Sequence, residues 1–308
     1  MMELGYTKPL YILPFDHRGS LSQKLFGWEG FLSDQQIKQI AKYKQIVYEG
    51  FVNAVNEGVL KENAAILVDE QGGDAILKQA KEQGFIISLP VEKSGQKEFQ
   101  FEFGDEFASH IIKYKPDFVK ALIRYNPEGE LDLNKRQQEK LKKLSDFCHA
   151  NDFKFMLESL VPPTMKQLQT VQMDKKRYNT ELRPTLETKM VDELQSFGVE
   201  PDVWKIEGCV SPKNYKMIIS QIRKGKRKQV GMIILGRGES AAQVEKWLAV
   251  GSSIEGVIGF AIGRTVFWQP LLDYKIEKIS RQAAVQEISK NYSHFVKIFT
   301  QYKNVYRK

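Results

Sequence analysis

Short apolar runs alternate with segments of helical periodicity along the whole chain. A run of about four to eight apolar residues, rich in β-branched or aromatic side chains, is typical of a strand buried on both faces. Eight such runs occur, at residues 10–15, 64–68, 85–89, 118–122, 153–157, 203–206, 230–235 and 256–261. Strand followed by helix, eight times, predicts an α/β fold of the (β/α)8 TIM barrel type. A doubly wound sheet stays open, although no Gly-x-Gly-x-x-Gly motif follows the first run.

The segments between these runs contain residues typical of helix N-termini. Ser33 has the spacing of a capping box with Gln36, and Pro184 suits the first turn of a helix over 185–197. Residues 90–104 and 161–182 exceed what a minimal barrel needs.

An extra C-terminal helix is predicted from Ser280 onward. Its apolar stripe should pack on the barrel or on a second subunit, which leaves a homo-oligomer open; the stripe consists of Val285, Ile288, Tyr292, Phe295 and Phe299. The sequence shows no internal repeat, low-complexity linker or domain boundary, so we predict one domain over residues 1–308.

Composition and charge exclude several classes of protein. No apolar run approaches the roughly 20 residues of a membrane span, and the first six residues lack the features of a secretory signal, so we expect a cytoplasmic protein. The two cysteines, Cys148 and Cys209, are too few for a disulfide framework. The net charge is +8, but the densest basic run, 223–228, has no interleaved aromatics. We therefore expect an anionic small molecule as partner, and no nucleic acid or membrane.

Charged side chains stand at the C-terminal ends of the predicted strands. Barrel side chains alternate between the interior and the helix layer, and the active site forms at this end. The residues are Asp16 after the first strand, Lys120 and Arg124 on the fourth, Glu158 after the fifth, and Lys205 and Glu207 on the sixth. Their apolar neighbours make a solvated surface a poor explanation, and a buried ion network without catalytic function is the alternative.

Two lysines in one barrel mouth suggest imine chemistry. A lysine nucleophile must be neutral, and a second nearby cation favours its neutral form. Lys205 beside Lys120 fits this requirement. Asp16 and Glu158 are placed to relay protons, and the pattern leaves open which carboxylate does which.

Glycine–arginine pairs follow the last two predicted strands. Loops there often hold phosphate in this fold, through glycine amides, a helix N-terminus and an arginine fork. Arg237 with Gly238, and Arg264 with Gly263, are therefore the phosphate candidates.

A metal site is not expected from the histidines, since His17 alone lies at the predicted mouth. A divalent ion on Asp16, Asp69 or Glu70 stays open, and no cofactor is predicted.

Four motifs resemble one known family. They are LPFDHRG at 13–19, PVEKSG at 90–95, VWKIEG at 203–208 and IGRTVF at 262–267. They resemble the stand-alone form of the 2-deoxy-5-keto-gluconate-6-phosphate aldolases of myo-inositol catabolism, with similarity from Leu10 to about Tyr302. That family is similar to the class I tagatose-bisphosphate aldolases, although His17 replaces their typical glutamine.

The resemblance implies a class I aldolase that cleaves or forms a phosphorylated keto sugar, with dihydroxyacetone phosphate as one fragment. It assigns the imine to Lys205, proton transfer and hydroxyl binding to Asp16, electrostatic support to Lys120, acid/base chemistry to Glu158 and phosphate binding to Arg264. Further expected substrate or phosphate contacts are His17, Arg18, Arg124, Glu207, Arg237, Gly238 and Gly263. A sugar-phosphate transaldolase or isomerase, and a non-catalytic sugar-phosphate-binding barrel, are the alternatives.

Overall fold

A computed structural model describes residues 3–305, so residues 1–2 and 306–308 of the predicted domain lie outside the described residues. Eight parallel strands close into a barrel in chain order, with β1 paired to both β2 and β8. This confirms the predicted (β/α)8 barrel over the doubly wound sheet. The strands are β1 Leu10–Pro14, β2 Ala64–Leu67, β3 Ile86–Pro90, β4 Phe118–Arg124, β5 Lys154–Leu160, β6 Val203–Glu207, β7 Gly231–Leu235 and β8 Val257–Ala261.

β4 and β5 run past the ends predicted from their apolar runs. Leu122 pairs with Glu158 and Arg124 with Leu160, so the ladder continues through the charged residues at the barrel mouth. An apolar run underestimates such strands because their last residues face a cavity rather than the core.

The helices pack outside the barrel. They are α1 Gly19–Leu21, α2 Asp34–Asn56, α3 Glu70–Glu82, α4 Phe107–Tyr114, α5 Leu131–Ala150, α6 Met165–Thr170, α7 Lys175–Arg177, α8 Arg183–Ser196, α9 Pro212–Ile222, α10 Ala241–Gly251, α11 Arg264–Lys275 and α12 Arg281–Val305. The predicted capping box at Ser33 and the proline in the first turn of α8 are both confirmed. No helix in residues 3–305 is long and apolar enough to cross a membrane.

An apolar layer plugs the lower part of the barrel interior. Its buried members are Leu10, Ile12, Ala65, Leu67, Phe118, Met156, Val203, Ile233, Ile258 and Ala261. Burying each large side chain of this kind contributes roughly 1.5–3 kcal/mol. Trp204 and Ile206 point the other way, into the core between strands and helices, as predicted. The same alternation leaves the next inward positions free to carry charge.

The C-terminal helix α12 packs on the barrel of its own chain, against α2, α10 and α11. Its predicted stripe is buried, and the Tyr292 hydroxyl donates a hydrogen bond to the Tyr11 carbonyl at 2.7 Å. A Cβ at Gly50 would lie 2.5 Å from Ile288, so α2 and α12 approach closely. The stripe therefore faces the barrel, and offers no surface to a second subunit.

Candidate active site

A cavity of about 570 Å³ opens at the C-terminal ends of the strands. Of the twelve residues expected at a site, eleven line it: Asp16, His17, Arg18, Lys120, Arg124, Glu158, Lys205, Arg237, Gly238, Gly263 and Arg264. Glu207 does not. The strand alternation thus brings most of the predicted residues into one space.

Lys120 is the centre of the buried charges in this cavity. Its ammonium nitrogen lies 3.1 Å from Asp16 Oδ2, 2.7 Å from Glu92 Oε1 and 2.8 Å from Glu158 Oε2. The side chain is 2% exposed. Burial alone would lower the pKa of Lys120, but Asp16, Glu158 and Glu92 raise it well above its ordinary value. Lys120 is therefore a fixed positive charge.

Lys205 lies on the next strand beyond Glu158 and is its register partner. The Lys205 ammonium donates to Glu158 Oε2 at 2.8 Å. Burial opposes ionisation of Glu158, yet Lys120 and Lys205 lower its pKa below the ordinary value. The lowered pKa favours the ionised carboxylate, which accepts the hydrogen bond of Lys205.

The other two carboxylates around Lys120, those of Asp16 and Glu92, have pKa values shifted in opposite directions. Burial would raise the pKa of Asp16, but Lys120, His17 and Lys205 lower it. At Glu92 the burial effect prevails over Lys120 and Arg18, and the pKa is raised. One Glu92 oxygen, Oε2, is buried without a hydrogen-bond partner in the described structure.

The residues after β7 and β8 form a rim of guanidinium and glycine. Arg237 adopts a left-handed backbone conformation, and its carbonyl accepts a hydrogen bond from Arg264 Nη2 at 2.5 Å. Gly238 is also left-handed, and a Cβ there would lie 2.6 Å from the Arg264 guanidinium carbon. Arg264 begins α11, with Gly263 as its N-cap. The rim has the arginine fork and helix N-terminus that suit a phosphate.

Glu207 was expected to contact substrate, and the structure corrects this. Its carboxylate is 2% exposed and pairs with Arg237 Nη1. Its ion-pair partner Arg237 lines the cavity, whereas Glu207 does not.

Two of the expected arginines are held by an unpredicted hairpin over residues 91–102. Lys93 N donates to the Gln100 carbonyl at 2.8 Å, and Glu102 N donates to the Val91 carbonyl at 2.9 Å. Arg18 donates to Glu102 and to the Glu92 carbonyl, and Arg124 donates to the Gln96 carbonyl at 2.8 Å. Arg18 and Arg124 therefore also anchor this hairpin at the mouth.

Glu92 was missed by the sequence reasoning. It lies two residues beyond β3 within the motif at 90–95, and that position after a strand was the available signal.

His17 lines the cavity near the arginine rim formed by Arg237 and Arg264. Its ring packs edge-to-face with Phe267, 5.6 Å between centroids. Burial lowers the pKa of His17 to about 4; Arg264, Lys44 and Lys205 also lower it, against Asp16. The ring is therefore neutral near pH 7 and can both donate and accept a hydrogen bond.

The three carboxylates considered for a divalent ion each lie beside a different basic side chain. Asp16 pairs with Lys120, Asp69 pairs with Lys44 and caps α3, and Glu70 lies 2.5 Å from His110. Among residues 3–305, no group of three or more His, Cys, Asp or Glu side chains is arranged to hold a metal ion.

A family model described as "Uncharacterized protein conserved in bacteria (DUF2090)" matches residues 5–303. The tagatose 1,6-diphosphate aldolase of Listeria monocytogenes (serotype 4a, strain HCC23) is 26% identical over 67% of this chain and 56% of the relative. Tagatose 1,6-diphosphate aldolase 1 of Streptococcus mutans is 25% identical over 65% of this chain and 58% of the relative. The chain thus spans less than two thirds of the length of these relatives.

Solved structures share the fold at low sequence identity. An archaeal fructose 1,6-bisphosphate aldolase superposes with a TM-score of 0.57 at 13% identity, covering 95% of this chain and 94% of that one. A Schiff-base-forming fructose-1,6-bisphosphate aldolase superposes with a TM-score of 0.56 at 13% identity, covering 94% of each chain.

Proposed function

We propose that this chain, which belongs to the DUF2090 family of bacterial proteins, is a class I aldolase that acts on a phosphorylated keto sugar through an imine on Lys205. The observation that carries the proposal is the pair of buried lysines on one carboxylate. Lys120 and Lys205 each lie 2.8 Å from Glu158 Oε2, in a cavity whose rim carries two arginines. The curated aldolase relatives support the same reaction class.

Lys205, Glu158 and Lys120 have separate roles in imine formation. The Lys205 ammonium gives a proton to Glu158, and its free amine attacks the substrate ketone. The resulting hydroxyl takes up a proton and leaves as water, which produces a protonated imine. Lys120 keeps its charge throughout and stabilises the ionised carboxylates beside the reacting carbon.

Carbon–carbon cleavage then follows from the imine. A carboxylate, Asp16 or Glu158, removes the proton of the substrate hydroxyl next to the breaking bond. The bond's electron pair moves into the protonated imine, an aldehyde leaves, and an enamine stays on Lys205. Protonation of the enamine carbon and hydrolysis release dihydroxyacetone phosphate and restore the lysine. The reverse sequence forms the bond.

The cavity suits a substrate that is anionic at both ends. Arg237 and Arg264 lie on one rim, while Lys24, Lys93 and Arg124 line another part of the wall. We propose 2-deoxy-5-keto-gluconate 6-phosphate, which carries a carboxylate and a phosphate, as the substrate in cytoplasmic myo-inositol catabolism. Tagatose 1,6-bisphosphate also has two anionic ends, so parallel assays with both compounds decide between them.

Borohydride trapping tests the proposal. Incubation with dihydroxyacetone phosphate and borohydride should add one reduced fragment to Lys205, located by peptide mapping. Lys205→Ala should abolish the adduct, and Lys154→Met, which removes a lysine at the opposite end of the barrel, should retain it. An adduct on another residue, or none with the wild type, would overturn the imine assignment.

A further inference from the structure

Three buried charged side chains, Glu207, Arg183 and Glu187, lie behind Arg237 of the arginine rim. Glu207 pairs with Arg237, and Arg183 donates to Glu187 at 2.6 Å. Glu187, Glu207 and Arg183 are 0%, 2% and 3% exposed. Burying charge at this level is costly unless the groups compensate one another or serve a purpose.

Arg183 connects this group to the end of β6. It donates to the Glu207 carbonyl at 3.3 Å and to the Gly208 carbonyl at 2.8 Å. These bonds fix the backbone two and three residues beyond Lys205. The Oε2 atoms of Glu187 and Glu207 are buried without a described hydrogen-bond partner. The group is therefore under-satisfied, which a purely structural ion pair would avoid.

Arg237 is the partner of this group that reaches the cavity. Its side chain is 43% exposed, and its carbonyl accepts from Arg264. Glu207 is thus linked through Arg237 to both guanidinium groups of the rim. We propose that Glu207 is a positioning residue of an anion site formed by Arg237 and Arg264, and that the Arg183–Glu187 pair sets the charge behind it. This rests on the phosphate-binding role given to the rim under the proposed function.

The charge of the group changes with the protonation of Glu187. Burial raises the pKa of Glu187 to about 7, against the opposing effect of Arg183. The titratable and charged groups that act on it or respond to it are Tyr178, Arg183, Glu207, Cys209, Tyr215 and Arg237. With Glu187 neutral, the two arginines exceed Glu207 by one positive charge, and with Glu187 ionised the charges balance. Anion affinity should therefore fall as pH rises through about 7.

Sulfate is the probe, because it stays a dianion across neutral pH and needs no catalysis. Titration calorimetry at pH 6 should show Glu207→Gln weakening sulfate binding by about tenfold, the scale of one charge-assisted hydrogen bond. Arg237→Gln is the second variant, on a half-exposed side chain that should tolerate the change. Because Glu207 acts through Arg237, the double variant should bind no more weakly than Arg237→Gln alone. Glu200→Gln is the control. It removes another glutamate–arginine pair, between Glu200, which precedes β6, and Arg227, and it should leave sulfate binding unchanged.

The pH dependence of sulfate binding tests the effect of the Glu187 charge on the anion site. Wild-type affinity for sulfate should fall several-fold from pH 6 to pH 8, while Glu187→Gln should keep the high-affinity value throughout. Unchanged sulfate binding in Glu207→Gln, or a wild-type pH dependence in Glu187→Gln, would overturn the proposal. Borohydride trapping is a separate readout. If trapping fails while sulfate binding depends on Glu207, the aldolase assignment falls and the positioning role stands.

Discussion

The ammonium groups of Lys120 and Lys205 lie on the same oxygen of Glu158, each at 2.8 Å. They reach it from the two strands that flank β5. Lys120 contacts three carboxylates, as many as it has N–H donors, whereas Lys205 contacts one. Loss of a proton from Lys205 would therefore weaken one ion pair, whereas loss of a proton from Lys120 would weaken three. This asymmetry supports the proposed roles of Lys205 as nucleophile and Lys120 as fixed charge.

Glu158→Gln should reduce kcat by roughly 10²–10⁴-fold, the usual scale for loss of an acid/base group, with a smaller change in KM. The amide keeps the shape of the side chain but cannot accept the Lys205 proton. Glu98→Gln is the control, because Glu98 also lines the cavity and also pairs with two cations, Arg136 and Lys140. Steady-state kinetics of both variants provide the measurement. Equal losses would show that any carboxylate in the cavity suffices, contrary to the assigned role.

The sequence predicted this part of the site because strand alternation is strictly periodic. Once β4, β5 and β6 are recognised, the alternation of side chains places Lys120, Glu158 and Lys205 on the inward face of their strands. Glu207 obeys the same periodicity, but a strand pattern does not describe how the following loop folds over it. The cavity contact expected for Glu207 is therefore not seen, since Glu207 pairs with Arg237 and does not line the cavity.

The features that escaped prediction depend on contacts between distant segments. The hairpin over 91–102 accepts hydrogen bonds from Arg18 and Arg124, and it buries Val91 and Phe99 in the core. Arg183 and Glu187 are spaced four apart on α8, where such pairs are usually solvent-exposed. Here Arg183 instead reaches the end of β6 and donates to the Glu207 and Gly208 carbonyls.

His17 should remain neutral well below the usual histidine range. Burial lowers the pKa of His17 to about 4, so its ring resonances should keep neutral-form shifts from pH 8 down to about pH 5. Heteronuclear NMR of histidine-labelled protein, assigned with His17→Asn, makes the measurement. A midpoint near 6.5 would contradict the burial described for this ring.

Glu187→Gln should become more stable relative to the wild type as pH rises. The folded-state pKa of Glu187 is raised from 4.5 to about 7, so its favourable contribution is complete below 4.5 and is lost as pH rises through 7. The difference corresponds to about 3 kcal/mol in unfolding free energy. Urea unfolding of both proteins at pH 5 and pH 8 measures it. A difference that does not change with pH would exclude a titrating Glu187.

Gly238→Ala and Gly225→Ala form a matched pair that separates the effect of backbone strain from the effect of a steric contact at the arginine rim. Both glycines are left-handed, with φ of 77° and 67°, so each alanine should cost about 1 kcal/mol in stability. A Cβ at Gly225 meets nothing within 4 Å, whereas one at Gly238 lies 2.6 Å from the Arg264 guanidinium. That guanidinium is the mobile end of a side chain, so Gly238→Ala should fold but displace it.

The expected result is a rise in KM for the phosphorylated substrate of about tenfold, the scale of one charged hydrogen bond, in Gly238→Ala alone. Equal KM values in the two variants, at similar losses of stability, would mean that Arg264 does not hold the substrate phosphate.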